Sequence, residues 1–226
     1  MALVAVASGQ IPGASVELPH QTLRSKFLDR PAEPLTQFRA VRHLEATNQR
    51  FKKHGWMDVR TELSAEGGFS FAVLDEGGSS YIRKKVLLPI LEGEREIVSR
   101  GDVAHAALTT SNYEITSEEA VGPGLARLMV RPLRNEITLV DGAVFVTDTD
   151  ADLVRVEGRL ARNPSFWTRR VDIVRRYGRV GGIRVPLGVE SVAQIRIAGR
   201  SEMTMTYRYE MVNGEVVASS DGENVQ

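Results

Sequence analysis

The chain has 226 residues, no cysteine, and equal numbers of basic and acidic side chains, 29 Lys+Arg against 29 Asp+Glu. Zero net charge gives no overall attraction to nucleic acid or an anionic membrane, and a chain without cysteine has no disulfide, thiolate metal site or thiol nucleophile. No run reaches the about 18 apolar residues of a membrane-spanning helix, and the length suits one β-rich domain with a sizeable core.

Residues 1–35 read as an N-terminal arm. Ala2 to Ser8 is short and apolar, with small residues at Ala5 and Ala7, like the end of a secretory signal lacking its basic start and most of its apolar core. An amphipathic piece around Leu23, Phe27 and Leu28 predicts a lead-in helix. The main domain is expected over 36–218. Its first strand-like runs, 38–46 and 56–63, flank a Lys52-Lys53-His54-Gly55 turn. Phe69, Phe71 and Val73 supply a third, which stops at Glu76-Gly77-Gly78.

The period then changes. Ile82, Val86, Leu87, Ile90 and Leu91 share one helical face, which predicts a helix from Ser79 to about Val98 with Ser79 or Ser80 as cap and Pro89 as punctuation. A second helical piece from about Arg100 to Leu108 completes a helical insertion over about 79–108.

Strands return at 113–116 and 125–130, then at 137–140 and 144–147 across an Asp141-Gly142 turn. The clearest patterning runs from 153 to 214 and predicts four long antiparallel neighbours. In the last of these, Met203, Met205, Tyr207, Tyr209 and Met211 share one face, while Thr204, Thr206, Arg208 and Glu210 share the other. Gly181-Gly182 and Asn213-Gly214 are hairpin dipeptides. The many arginines alternate with Glu157, Glu190, Glu202 and Glu210, as in cross-strand charge ladders. Eleven strand-like runs and one dominant helical insertion predict a mainly β (α+β) fold. The sheet is too large to stay flat, so the expected form is a half-open, strongly curled antiparallel β-barrel with helices covering its concave face, followed by a polar tail over 219–226.

Reactive chemistry is sparse. His20, His43, His54 and His105 share no short metal-ligand spacing. Asp148, Asp150 and Asp152 are spaced like the start of a calcium loop, but Leu153 replaces the needed glycine, so an acidic hairpin loop is expected. There is no GxSxG elbow, and Gly122-Pro123-Gly124 and Gly181-Gly182 lack the context of a phosphate cradle. Asn163-Pro164-Ser165 has proline where a glycosylation acceptor forbids it. The expectation is a binding or carrier protein without catalytic residues, metal or cofactor.

The run Arg175-Arg176-Tyr177-Gly178-Arg179-Val180-Gly181-Gly182-Ile183-Arg184-Val185-Pro186, followed by long strands, resembles the LolA-like superfamily of periplasmic lipoprotein carriers and outer-membrane lipoprotein-sorting proteins. The resemblance is strongest over about 60 residues, from Asp152 to Gly214, and rests on hairpin signals of moderate specificity. No arginine matching the family's latch is placed, and the N-terminal meander is longer than the family's. The resemblance implies a half-open barrel that shelters acyl chains under a helical lid, in the periplasm or cell envelope. Implied partners are a lipid or acylated lipoprotein and envelope proteins, with no nucleic acid and no transmembrane segment. Candidate lipid contacts are Phe69, Phe71, Ile82, Val86, Leu87, Ile90, Leu91, Leu128, Met203, Met205 and Tyr207, with Met129 and Met211 as further adaptable side chains. The same apolar faces would serve a filled core. A hydrolase or lyase with its site in the barrel mouth, or a packed structural envelope protein, therefore stays open.

Overall fold

Period-two patterning in the sequence becomes one 11-stranded antiparallel sheet. The computed structural model describes residues 22–30, 33–66 and 68–217. The signal-like segment 2–8, His20 and the tail 219–226 lie outside them.

The strands are β1 (Phe38–Asn48), β2 (Lys53–Leu63), β3 (Phe69–Gly78), β4 (Tyr113–Gly122), β5 (Leu125–Pro132), β6 (Val140–Thr147), β7 (Leu153–Leu160), β8 (Thr168–Val180), β9 (Ile183–Ile195), β10 (Gly199–Val212) and β11 (Glu215–Val216). Their spatial order is β3-β2-β1-β10-β9-β8-β7-β6-β5-β4, with β11 beside β10. The expected neighbours of 153–213 are thus consecutive. The first and last long strands close on each other, with Leu44 opposite Met205 and Arg42 opposite Tyr207. β3 and β4 remain as the two edges, so the sheet is not closed.

Two departures from the expected patterning have local causes. The predicted hairpin at Asp141-Gly142 does not form: residues 137–139 precede a single strand, β6, and Gly142 lies within it opposite Gly158 of β7. A Cβ on Gly142 would stand 2.2 Å from the Glu157 carbonyl oxygen and 2.6 Å from the Gly158 Cα, so this glycine permits a close backbone approach rather than a turn. In β10, Met211 leaves the dry face. A bulge shifts the register at Arg39/Ala40, so that Tyr209 opposes Ala40 while Met211 opposes Arg39 and Val212 opposes Phe38; Val212 is the buried residue.

The arm contributes α1 (Leu23–Leu28), capped by the Thr22 hydroxyl accepting from the Ser25 amide, with Phe27 buried. The predicted long helix is compound. A short α2 (Ser80–Ile82) passes through a π-helical segment, Arg83–Leu87, into α3 (Leu88–Ser99). Ser79 is the N-cap residue but makes no side-chain cap bond. The Leu88 amide donates five residues back to the Arg83 carbonyl. Pro89, next in line, has no amide to continue an α ladder, and the wider π turn spaces its ring from the preceding turn. The second helical piece is only a 3-10 segment, Asp102–Ala106.

Ile82, Leu87 and Leu91 join Leu44, Met57, Leu128, Val144 and Met205 in one buried apolar cluster. A second, smaller cluster gathers Phe38, Ala40, Phe69, Val185, Tyr209 and Val212.

Candidate functional site

Alternation along β1 turns Phe38, Ala40, Leu44 and Ala46 inward, and the same parity turns Arg42 inward with them. Only 1% of Arg42 is exposed. Its guanidinium donates to both carboxylate oxygens of Glu94 on α3, at 2.5 and 3.0 Å. Three rings surround it: Tyr207 at 4.7 Å, Phe69 at 5.5 Å and Phe38 at 5.6 Å from ring centre to guanidinium carbon. Its Nε has no hydrogen-bond partner among the described residues.

The electrostatics follow from this enclosure. Burial pushes the Arg42 pKa down, but the Glu94 hydrogen bonds and the surrounding phenols outweigh it, and the net shift is upward. The cation is held. Burial pushes the Tyr207 phenol up to about 12, against the opposing pull of Arg42. It pushes Tyr209 up as well. The Tyr209 hydroxyl donates to the Pro186 carbonyl at 2.9 Å, and the Tyr207 and Tyr209 rings stack with centroids 6.0 Å apart.

Of the candidate lipid contacts, Ile82, Leu87, Leu91, Leu128 and Met205 are buried in the main cluster, with Phe71, Val86, Met203 and Tyr207 packed against it. Phe69 lies in the second cluster, which Phe71 and Tyr207 also touch. Ile90 is half-buried and belongs to neither. Met129 does not face inward: it is 38% exposed between buried Leu128 and Val130. None of the eleven lines either of two surface depressions. One, of about 310 Å³, is bordered by β7, β8 and β9 near Gly158, Ile173 and Ser191. The other, of about 170 Å³, lies among Ile97, His105, Ile137 and Arg162.

Arg42 is not among the candidates named from the sequence, although its parity in β1 is a sufficient signal. Its partner Glu94 had none, being one of several acids on a helix whose phase is broken by the π turn.

His43 and His54 stand on the exposed face of β1 and β2, bonded to Asp58 and Glu45 at 2.7 Å each. Among the described residues no group of three His, Asp or Glu side chains is placed to hold a metal. The loop 148–152 is the expected acidic hairpin connection, and Asp152 in it is occupied by Arg179 and Arg184. Among the described residues no helix is long and apolar enough to cross a membrane. Compared with known proteins, the chain matches no family model and no curated protein.

Proposed function

We propose that the protein is a non-enzymatic lipid- or lipoprotein-binding carrier of the cell envelope, whose sheet curls around an apolar interior and whose α3 helix is a movable lid. The observation that carries this reading is the Arg42–Glu94 joint between sheet and helix. A buried ion pair contributes little to stability against an apolar pair of the same volume, because desolvation offsets the attraction. What it supplies is one orientation of the helix and a contact that can be exchanged for water or a ligand headgroup.

Other features of the helix point the same way. The π turn at Arg83–Leu87 is a form often found at functional sites. Gly93 sits inside α3 with nothing within 4 Å of where its Cβ would be, so no steric reason requires it, and it weakens the helix. One buried cluster draws on strands from β1 and β2 as well as β5 and β6, which a curled sheet explains. In this reading, movement of the helical segment that carries Ile82, Leu87 and Leu91 would open the cluster they share with Leu44, Met57, Leu128 and Met205, an apolar surface suited to acyl chains. The LolA-like patterning of 175–186 supports the same assignment.

Titration of the wild-type protein with a fluorescent fatty-acyl probe, alongside mass spectrometry of co-purifying small molecules, tests the proposal. Saturable uptake that strengthens in Glu94→Gln supports it. Absence of uptake in both proteins, with no lipid recovered, favours a packed structural envelope protein. That second reading draws on Leu87, Leu91 and Leu128, which are completely buried.

A further inference from the structure

Three connections meet at one end of the sheet: the β1–β2 turn (49–52), the β9–β10 turn (196–198) and the β7–β8 loop (161–167). They are fastened together. The Gln49 amide donates to the Arg200 carbonyl at 3.3 Å, the Asn48 side chain donates to the Ala198 carbonyl at 2.9 Å, and the Arg196 amide donates to the Trp167 carbonyl at 2.8 Å. The result is a continuous ridge.

Each connection places a large apolar side chain in water. Phe166 is 74% exposed, Ile197 58%, Trp167 54% and Phe51 51%. Single exposed hydrophobics are ordinary, but four on hydrogen-bonded neighbouring turns form a patch. Basic residues accompany them, and segments 49–53, 161–171 and 194–201 contain no acid at all. The first carries Arg50, Lys52 and Lys53, the second Arg162, Arg169 and Arg170, the third Arg196 and Arg200. Arg170 and Arg200 pair with Asp172 and Glu202 in the adjoining strands. Arg196 lies over the Phe166 ring at 4.8 Å, cation and aromatic presented together. At the opposite end of the sheet the loop 148–152 carries three aspartates. Two of these are paired, Asp150 with Arg30 and Asp152 with Arg179 and Arg184, so the excess of base is a local property of the ridge, and a local basic patch is what a negatively charged surface attracts.

We propose that this ridge docks the protein on an anionic lipid bilayer, with Phe166, Trp167, Ile197 and Phe51 entering the headgroup region and the flanking Arg and Lys pairing with phosphates. Trp and Phe sit well at the boundary between headgroups and acyl chains, and the basic residues match its negative surface potential. Single-stranded nucleic acid also uses aromatic and basic residues, but it needs flat rings open to stacking bases. Here Phe166 and Trp167 meet edge to face at 75°, Arg196 lies over one face of the Phe166 ring, and the tip between the aromatic ones is aliphatic.

Co-sedimentation with phosphatidylcholine vesicles, with and without phosphatidylglycerol, tests the docking. The expected result is binding only to the anionic vesicles, weakened by salt and by roughly fivefold for each basic residue removed at Arg50, Lys53 or Arg196. Trp167 emission, read in a Trp56→Phe background, should shift to the blue on binding. Phe166→Ser/Trp167→Ser should abolish sedimentation, while Arg127→Gln, on β5 and away from the ridge, should not. Thermal unfolding of each variant verifies that it is folded. Wild-type sedimentation by the ridge variants, no anionic selectivity, or equally tight binding of a single-stranded oligonucleotide would overturn the proposal. Vesicle docking without uptake of an acyl probe would end the carrier reading and leave this one standing.

Discussion

Arg42 and Glu94 lie 52 residues apart in sequence and share two hydrogen bonds across an otherwise apolar interior, tying β1 to α3. Glu94→Gln leaves the guanidinium buried without its counter-charge. The loss should fall toward or below the low end of the about 3 to 5 kcal/mol typical of broken buried pairs, because the Glu94 side chain is 34% exposed and water screens it. Arg42→Met in the same chain removes the stranded charge and should recover much of that loss. Urea unfolding of wild type, single and double variants measures both, and a double variant as unstable as the sum of its singles would show the residues to be independent.

Leu87 and Leu91 are completely buried where the helical segment meets the sheet. As solid core, Leu87→Ala or Leu91→Ala should cost about 2 to 5 kcal/mol. A lid over a ligand space gives a different result: a smaller loss of stability and a larger change in acyl-probe affinity. Unfolding midpoints and probe titrations on the same two variants separate the cases.

Two glycines should respond in opposite directions to alanine. Gly93→Ala adds a Cβ into open space and removes a helix-weakening residue, so stability should rise by about 1 kcal/mol. If α3 must move to admit a ligand, probe uptake should slow in the same variant. Gly142→Ala drives a Cβ into the backbone of β7 and should cost about 3 kcal/mol or more. A harmless Gly142→Ala would mean that β6 and β7 can separate more easily than their register implies.

Strand content and the hairpins at Gly181-Gly182 and Asn213-Gly214 were legible because period two and turn chemistry are local properties. The pairing of β1 with β10 was not, since alternation says which face of a strand is dry and nothing about which strand lies beside it. Met211 escaped for a related reason: a one-residue bulge reverses the face of everything beyond it, and no residue type announces it there. At Asp141-Gly142 a turn-like dipeptide misled, because a glycine required by a facing strand looks the same as one required by a turn. Arg42 was readable from parity alone, whereas the ridge at Phe51, Phe166, Trp167 and Ile197 needed the sheet order that brings three distant connections together.

Asp152 makes the fold sensitive to acid. It accepts from Arg179 Nε at 2.6 Å and from Arg184 Nε at 2.8 Å, and Arg30 of the arm approaches it at 3.6 Å, so one carboxylate joins the 148–152 loop, the β8–β9 hairpin and the arm. Burial alone would push its pKa up; the Arg179 hydrogen bonds, then Arg184 and Arg30, outweigh that and hold it below the ordinary aspartate value. Unfolded, the same group titrates at about 3.9. Above that pH both states are ionised and the stabilisation is complete. As pH drops from about 4 the unfolded chain takes up the proton first, so stability falls until the folded carboxylate is protonated too. Asp152→Asn should therefore be less stable than wild type near neutrality, with the gap narrowing as pH falls through about 4 and below. Urea unfolding at stepped pH measures the gap, and one that stays constant from neutrality into that acidic range would show that the arginine contacts do not hold this carboxylate down.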